Sequence, residues 1–296
     1  MHFVYHPGYD LNIGAHVFPA QKFRLIREAL LSQRLASASD FLLPAAATPE
    51  QLELAHDPIW IDKLTHGYLS GSDVQRLEIP YSPQMARAFF LAAGGTILAA
   101  RTALQEGISY NIGGGFHHAF RGHGEGFCAI NDIAVGIRTL QEEGLAGRAM
   151  VIDCDVHHGN GTAAIFAGDE SVFTISIQQF HNYPAQKPPS DLDVHLEDGV
   201  ADDEYLAALS GAIQKPLQTF EPHLVVYVAG ADPYEDDQLG GLSLSIEGLL
   251  RRDKLVISSA RRAGAGVAIV LAGGYARNVA DTVAIHVNTA RAALGL

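Results

Sequence analysis

The chain has 296 residues, 48% of them hydrophobic and 18% charged, a composition that favours a compact globular fold over a disordered one. Its 33 acidic and 20 basic side chains give a formal charge of −13, which argues against a nucleic-acid partner and is compatible with a cationic one, such as a lysine-rich tail. There are only two cysteines and no uninterrupted apolar run that reaches the roughly 18 residues of a membrane span, so we expect a soluble protein of the reducing cytoplasm without a membrane contact.

In chain order, a short strand at 3–5 precedes a helix over 21–36, a helix that Pro58 opens, and a long apolar helix from Pro83 to about Gln105 with Ser82 as its N-cap. From there, mostly apolar strands alternate with helices. The strands are predicted at 108–112, 148–153, 172–177, 224–229 and 267–271, and the helices at 131–142, 161–167, 203–220, 246–263 and 279–293. This alternation is typical of a parallel sheet covered on both faces, and without a linker or repeat we predict one domain, 1–296.

Polar clusters follow four of these predicted strands. The segments are Gly113 to His118, Asp153 to His157, Gly230 to Asp232, and Ala272 to Tyr275. Ligands of open α/β sheets bind beyond the carboxyl ends of the strands, so we expect the four segments to converge on one crevice.

The segment from Asp153 to His157 has the composition of a metal site. In an extended chain Asp153, Asp155 and His157 can face the same way, and carboxylate and imidazole are both zinc ligands. Asp155 and His157 supply two ligands, and convergence of the strand ends supplies Asp232 as the third. The ligand set would tolerate iron as well as zinc. The alternative is a capped strand-to-helix turn without a metal, with Asp232 as a loop or cap residue.

The adjacent imidazoles of His117 and His118 are suited to proton transfer beside such a metal. Asp153 and Asn160 can orient the two rings, and Tyr275 can donate a hydrogen bond to a developing oxyanion. Together these groups indicate metal-assisted hydrolysis of an amide by water activated at the metal. The alternatives are a solvated His-His loop and an ordinary Gly-Gly-Tyr turn.

Five motifs in order resemble the zinc-dependent histone deacetylase superfamily, and most closely its class IV-like and bacterial branch. They are Gly114 to Ala119, Gly126 to Asp132, Asp153 to Gly161, Gly230 to Asp232, and Gly273 to Tyr275. The resemblance implies the arginase/deacetylase fold, a single three-layer α/β/α domain around an eight-stranded parallel sheet. It also implies zinc on Asp155, His157 and Asp232, and a catalytic set of His117, His118, Asp153, Asn160 and Tyr275.

The resemblance extends to a second ion and to a substrate tunnel. It implies potassium bound by Asp153, Asp155, His157, Ser176 and Ile177, and a tunnel built from Gly126, Phe127, Tyr183, Leu239, Gly273 and Gly274. Asn160 stands where class I enzymes carry Asp, so His118 is expected to lack a carboxylate partner. Leu239 stands where polyamine deacetylases place a carboxylate, and the class I rim aspartate has no identifiable counterpart.

We therefore predict a zinc-dependent deacylase that removes acetyl or longer acyl groups from the side-chain nitrogen of lysine in proteins or peptides. Leu239 favours this substrate over acetylpolyamines. The alternatives are a deacetylase of a small acylated amine such as an acetylpolyamine, and a non-catalytic acyl-lysine binding scaffold. The oligomeric state stays open.

Overall fold

The structure is a computed structural model and describes residues 1–296. Its centre is one sheet of eight parallel strands in the order β2-β1-β3-β8-β7-β4-β5-β6. The strands are β1 His2–Val4, β2 Phe41–Leu42, β3 Ile108–Asn111, β4 Ala149–Asp153, β5 Val172–Gln179, β6 Leu192–Leu196, β7 Leu224–Val228 and β8 Gly266–Val270.

Ten α-helices connect or flank the strands. They are α1 Lys22–Ser32, α2 Pro49–Glu53, α3 Pro58–His66, α4 Gly71–Leu77, α5 Pro83–Glu106, α6 Asp132–Glu142, α7 Asn160–Phe166, α8 Asp202–Phe220, α9 Ile246–Arg262 and α10 Val279–Leu294. Helices α5 and α6 pack together, while α9 packs between α8 and α10, and α1 packs on α10. Helices therefore cover the sheet in layers, as expected when central strands are apolar on both faces.

Local sequence accounts for the strongest elements. Every residue of β3, β4, β7 and β8 is buried, which matches the nearly continuous apolar sequence of β4, β7 and β8. Helix α5 begins where the Ser82 side chain accepts a hydrogen bond from the backbone N–H of Met85, with Pro83 in its first turn. It ends at Gly107, whose φ of 88° is readily adopted only by glycine.

Helix α5 alone is long and apolar enough to cross a membrane by length and composition. However, 72% of its most apolar window is buried inside the protein, as is common in core helices. The helix is therefore only weak evidence for a membrane span.

The α/β fold with a parallel sheet, predicted from the alternation of strands and helices, is confirmed, and so are the eight strands that the family resemblance implies. The predicted strands and long helices are present, with ends that differ by a few residues. Strands β2 and β6 and helices α2 and α4 were missed. Both strands lie at the edges of the sheet, where burial is partial, and both helices are shorter than two full turns, so none leaves a strong periodic pattern.

Candidate active site

The polar segments after β3, β8, β7 and β4 meet at one edge of the sheet. These four strands are consecutive in the sheet order and parallel, so their carboxyl ends point the same way. Their loops carry the His117-His118 pair, the Gly273-Gly274 turn, Asp232, and Asp155 with His157. The order of the strands therefore brings together residues that are up to about 160 positions apart in sequence.

Asp155, His157 and Asp232 form a buried group in which one ligand atom from each residue lies within 4.8 Å of the others. The His157 Nδ1 atom is 3.0 Å from Asp155 Oδ1 and 3.3 Å from Asp232 Oδ2. A tetrahedral zinc ion with bonds of about 2.0–2.2 Å holds its ligand atoms roughly 3.3–3.5 Å apart, so these spacings are close to those of a filled site.

Two observations favour a cation in this group. The Asp232 Oδ2 atom is buried and accepts no hydrogen bond, although His157 Nδ1 lies 3.3 Å away, a costly arrangement for a carboxylate oxygen. Burial, and then the neighbouring Asp155 carboxylate, raise the pKa of Asp232 to about 7. Burial alone would favour a neutral His157, but the two carboxylates raise its pKa to about 10. A metal ion would take the place of the proton on His157 and offset the negative charge of the two carboxylates. The residues present therefore fit a divalent metal.

The backbone around the group is arranged for close approach. The N–H of Gly273 donates to Asp155 Oδ2 at 2.8 Å, and the N–H of Val156 donates to Asp232 Oδ1 at 2.9 Å. A Cβ on Gly273 would lie 1.8 Å from Asp232 Oδ2, so only glycine fits there without a shift of the carboxylate. These contacts orient both carboxylates towards His157.

His117 and His118 are buried next to the Asp-His-Asp group, with their Nε2 atoms 3.1 Å apart. The Nδ1 atom of His117 is 2.7 Å from Asp153 Oδ2, and that of His118 is 2.7 Å from Asn160 Oδ1. Each ring is thus held on its far side by the partner expected from the sequence, and both near sides face the same centre.

The two rings differ in basicity. Burial opposes a charge on His117, but the Asp153 and Asp155 carboxylates outweigh it and raise the pKa of His117 to about 9. Burial, followed by repulsion from His117 and His157, holds the pKa of His118 well below its usual value. In the metal-free chain one imidazole is therefore stabilised as a cation and the other as a neutral base.

The turn before the histidine pair is held by a buried carboxylate. Asp132 accepts the backbone N–H of Gly115 at 3.0 Å and of Phe116 at 2.8 Å, and the hydroxyl of Thr96 at 2.5 Å. A Cβ on Gly114 would lie 2.3 Å from Asp132 Oδ2, and the φ of Gly114 is 72°. The glycines of the motif are needed because the backbone approaches this carboxylate so closely.

Tyr275 lines the pocket above the Asp-His-Asp group, and burial raises the pKa of its phenol well above the usual value. Its backbone N–H donates to Asp237 Oδ2 at 2.6 Å. From the other side, the fully buried Lys22 donates to the carbonyl of Ala272 at 2.6 Å, with its Nζ atom 5.9 Å from the Tyr275 ring centroid. The loop that carries the tyrosine is therefore held at both ends.

Burial lowers the pKa of Lys22 to about 8, although the Asp232, Asp155 and Asp237 carboxylates act in the opposite direction. Neither Lys22 nor Asp237 was assigned a role from the sequence. Lys22 lies at the start of an amphipathic helix, where a lysine is ordinarily expected to face solvent.

One pocket of about 180 Å³ leads to the site, and most of the predicted tunnel residues line it. Its wall consists of Glu78, His118, Gly126, Phe127, His157, Asn182, Tyr183, Leu239 and Tyr275. The predicted tunnel residues Gly273 and Gly274 do not line it. They lie beneath the wall, because Gly273 is packed against Asp232 and Gly274 against Ala231 and Thr282.

Ser176, on the neighbouring strand β5, has a buried hydroxyl without a hydrogen-bonding partner. It lines a small cavity of about 10 Å³ together with Asp153. Ile177 is buried in the same strand. An unpartnered hydroxyl beside a carboxylate is compatible with the expected second cation.

Two carboxylates near the pocket had no assigned role in the sequence analysis. Glu78 is exposed and lines the pocket, although no rim carboxylate was identifiable from the sequence. Glu125 lies behind Asn160 and accepts a hydrogen bond from its amide at 2.7 Å. The sequence signal for Glu125 was its place next to Gly126 in a recognised motif, but its direction depends on a fold that was not yet known. Both cysteines, Cys128 and Cys154, are buried free thiols.

A model of the histone deacetylase domain matches residues 16–290, so the chain belongs to the histone deacetylase family, a family of hydrolases that act as deacetylases. An uncharacterized protein of Picosynechococcus sp. is 42% identical over 291 residues, which are 98% of this chain and 97% of that one. The acetoin utilization protein AcuC of Bacillus subtilis is 29% identical over 92% of this chain and 76% of its own length. The crystal structure of an HDAC homolog complexed with SAHA has a TM-score of 0.84 and 25% identity, over 100% of this chain and 84% of that one.

Proposed function

We propose that this chain is a zinc-dependent deacylase that hydrolyses the amide between an acyl group and the side-chain nitrogen of lysine in proteins or peptides. The observation that carries the proposal is the buried Asp155-His157-Asp232 group at the foot of a pocket whose wall contains both His118 and Tyr275. Family membership supports the deacetylase chemistry, while the metal, the residue roles and the lysine substrate are proposals.

A zinc ion on Asp155, His157 and Asp232 would supply Lewis acidity towards water and the acyl carbonyl. His118 lines the pocket and has a depressed pKa, so it is neutral and can take the proton of the attacking water. It can then return this proton to the leaving nitrogen. His117 is more basic because of Asp153. As an imidazolium at the rear of the site, it stabilises the negative charge that develops during hydrolysis.

Tyr275 is proposed to hydrogen-bond the oxyanion that forms at the acyl carbon. Its phenol stays protonated because burial raises its pKa well above the usual value, so it is available as a donor at neutral pH. The backbone bond to Asp237 and the contact with Lys22 fix the loop before substrate arrives. A donor that is already in place loses little free energy to reorganisation when charge develops.

The pocket wall supports a substrate with an apolar stem. Phe127, Tyr183 and Leu239 present apolar surface, which suits the methylene chain of lysine. The exposed carboxylate of Glu78 at the pocket offers an acceptor for backbone amides or a positive charge near the acylated residue. A formal charge of −13 supports a basic segment as the carrier of that lysine.

A small acylated amine is the second candidate. Glu78 favours it, because a carboxylate at the pocket can attract a second ammonium group although Leu239 cannot. The relative AcuC, which is named for acetoin utilization, also supports a metabolic substrate. Glu78→Gln separates the two candidates: it should raise KM for acetylpolyamines at least fivefold and change KM for an uncharged acetyl-lysine dipeptide little.

The proposal is tested with purified, metal-quantified protein and a panel of lysine peptides that carry acetyl, butyryl, octanoyl and myristoyl groups. Turnover of at least one peptide in the zinc-loaded protein, lost on chelation and restored by zinc, is the expected result. Asp232→Ala is the matched control, since it should lose metal and activity together. No turnover of any peptide with one zinc bound per chain, alongside turnover of acetylpolyamine, would replace this proposal with the second candidate.

Two subsidiary proposals concern the rest of the chain. We propose that potassium binds beside Asp153, Asp155 and His157, with the unpartnered hydroxyl of Ser176 and the carbonyl of Ile177 completing the site. Ser176→Ala should then weaken the potassium dependence of unfolding without removing zinc. We also propose that residues 1–296 act as one catalytic domain in the cytoplasm.

A further inference from the structure

Glu125 joins two parts of the site through one oxygen atom. Its Oε1 accepts a hydrogen bond from Asn160 Nδ2 at 2.7 Å and another from the Tyr183 hydroxyl at 3.0 Å. Asn160 in turn holds His118, and Tyr183 lines the pocket with its ring centroid 4.9 Å from that of His118. The carboxylate thus contacts neither the metal group nor the pocket directly, but both of its partners contact His118.

We propose that Glu125 is a positioning residue: it fixes the orientation of the Asn160 amide, and through it the tautomer of His118, and provides the negative charge that Asn160 itself lacks. The inference deepens the proposed function and rests on it for its effect on turnover. His118 has no carboxylate as its direct partner, as expected from the sequence, but the Glu125 carboxylate stands one hydrogen bond further away, behind Asn160.

The two ends of the Asn160 side chain have opposite hydrogen-bonding roles. An amide has one end that donates and one that accepts, whereas a carboxylate only accepts. With Glu125 beside it, the NH₂ end of Asn160 must face the carboxylate, and a flipped amide would place two oxygens against each other. The Oδ1 end therefore faces His118 Nδ1 at 2.7 Å.

This orientation selects one form of His118. Because Asn160 Oδ1 only accepts, the proton of a neutral His118 lies on Nδ1, and Nε2 is left unprotonated. That Nε2 atom faces the site, 3.1 Å from Nε2 of His117. A proton acceptor is required there if His118 is the base. The charged Glu125 carboxylate, on the far side of Asn160, also polarises the Asn160 amide and strengthens its hydrogen bond to the His118 ring.

Glu125 is itself held firmly. Its backbone N–H donates to the carbonyl of Cys128 at 3.0 Å, and its carbonyl accepts the N–H of Cys128 at 2.9 Å, while the N–H of Phe127 donates to the carbonyl of Leu77 at 3.0 Å. Gly126 has a φ of 52°, and a Cβ there would lie 2.9 Å from the rings of both His118 and Tyr183. The turn thus holds the carboxylate within hydrogen-bonding distance of the two side chains it bridges.

The simpler explanation is a surface carboxylate paired with His123, whose Nε2 is 3.6 Å from Glu125 Oε2. That contact uses the other oxygen and leaves Oε1 for Asn160 and Tyr183. Contact with His123, opposed by partial burial and aided by those two bonds, holds the pKa of Glu125 below its usual value. The carboxylate is therefore ionised at neutral pH and available as an acceptor.

The effect of replacing Glu125 on activity should depend on whether position 160 is Asn or Asp. Asn160→Asp places a second carboxylate about 2.7 Å from Glu125, the present distance of the amide nitrogen, and like charges at such a distance repel strongly. Replacing Glu125 by Gln should then help instead of harm, since the Gln amide can donate to the carboxylate introduced at position 160. A carboxylate with a purely structural role predicts the same penalty in both backgrounds.

The test compares zinc-loaded Glu125→Gln, Glu125→Ala, Asn160→Asp and the double variant Asn160→Asp/Glu125→Gln with the wild type, at equal zinc content. We expect Glu125→Ala to lower kcat about tenfold and Glu125→Gln less, because Gln retains an acceptor. Asn160→Asp should lower kcat at least tenfold, and the double variant should recover most of it. Equal losses from Glu125→Gln in both backgrounds would overturn the inference.

Tyr183→Phe separates the two bonds of Glu125. It removes the hydroxyl and keeps the ring, so we expect a larger effect on KM than on kcat. Glu125→Ala should still lower kcat about tenfold in the Tyr183→Phe background. If its effect disappears there, Glu125 acts through the pocket wall and the assignment to His118 is wrong.

A readout without turnover distinguishes this inference from the proposed function. In zinc-loaded protein with ¹⁵N-labelled histidine, the His118 signals, identified by their loss in His118→Ala, should report a proton on Nδ1 in the wild type. In Glu125→Ala the two tautomers should mix. If Glu125→Ala shows mixed tautomers but the wild type turns over no acyl-lysine, the inference is upheld and the proposed substrate is refuted. If the signals of Glu125→Ala are unchanged and the wild type has full turnover, the inference is refuted and the proposed substrate is upheld.

Discussion

Protonation of His56 should destabilise the fold as the pH falls, and the structure gives the size of the effect. His56 is fully buried; its Nδ1 atom lies 3.3 Å from the carbonyl of Arg121, and its Nε2 accepts the backbone N–H of Asn131 at 3.0 Å. A proton on Nε2 would face that N–H, and the ion would also be desolvated. Burial accordingly lowers the pKa of His56 from 6.5 to about 4.

The direction of the change in stability follows from the pKa values of His56 in the unfolded and folded chain. Between pH 6.5 and about 4 the unfolded chain binds a proton that the folded chain does not, so the contribution of His56 is complete above pH 6.5 and is lost as the pH falls through this range. The full loss is about 3 kcal/mol, of which about 2 kcal/mol is reached at pH 5. Asn131 also donates to the carbonyl of Ala119 at 3.2 Å, next to the histidine pair, so the same protonation should loosen the site.

The assay is urea unfolding at several pH values from 7.5 to 5, in chelator, for the wild type and His56→Gln. Gln retains an acceptor for the Asn131 N–H but does not titrate, so it cancels the contribution of every other group. We expect the free energy of unfolding of the wild type, relative to the variant, to fall by about 2 kcal/mol between pH 7.5 and pH 5. A difference that stays constant over this range would refute the reasoning.

Three further predictions concern the site. Tyr275→Phe should lower kcat about 10²- to 10³-fold with zinc content unchanged, and a parallel loss of zinc would contradict its role as an oxyanion donor. Chelation should lower the melting temperature of the wild type by several degrees, reversibly with zinc, but not that of Asp232→Asn, which has lost a ligand. Gly273→Ala should weaken zinc binding at least tenfold, because the new Cβ would lie 1.8 Å from Asp232 Oδ2. Gly211→Ala is the matched control, because a Cβ at that position would have nothing within 4 Å. Equal zinc affinity of the two variants would refute the steric argument.

Much of the fold was predictable because its signals are local. The buried strands β4 and β7 are short continuous apolar runs, and Ser82 with Pro83 starts the longest helix. The Asp155-x-His157 spacing already places two side chains on one face of an extended segment. The rule that ligands bind beyond parallel strand ends then pointed to Asp232, in the loop after a different strand.

The strand order itself was not local information. Sequence predicts that parallel strands exist, but packing decides that β3, β8, β7 and β4 are neighbours, and only this order brings four loops to one crevice. Edge strands such as β2 and β6 were missed because partial burial leaves a weak pattern.

By itself, then, the sequence determined the chemical groups of the candidate site and their place at strand ends, because those depend on residue type and short-range spacing. Only the tertiary structure decided what stands behind them. Lys22 reads as a surface lysine and is buried against the loop of Tyr275, and Glu125 reads as a loop carboxylate and bonds to Asn160, 35 residues away. The direction of a side chain is set by the packing of distant segments, and no spacing along the chain encodes it.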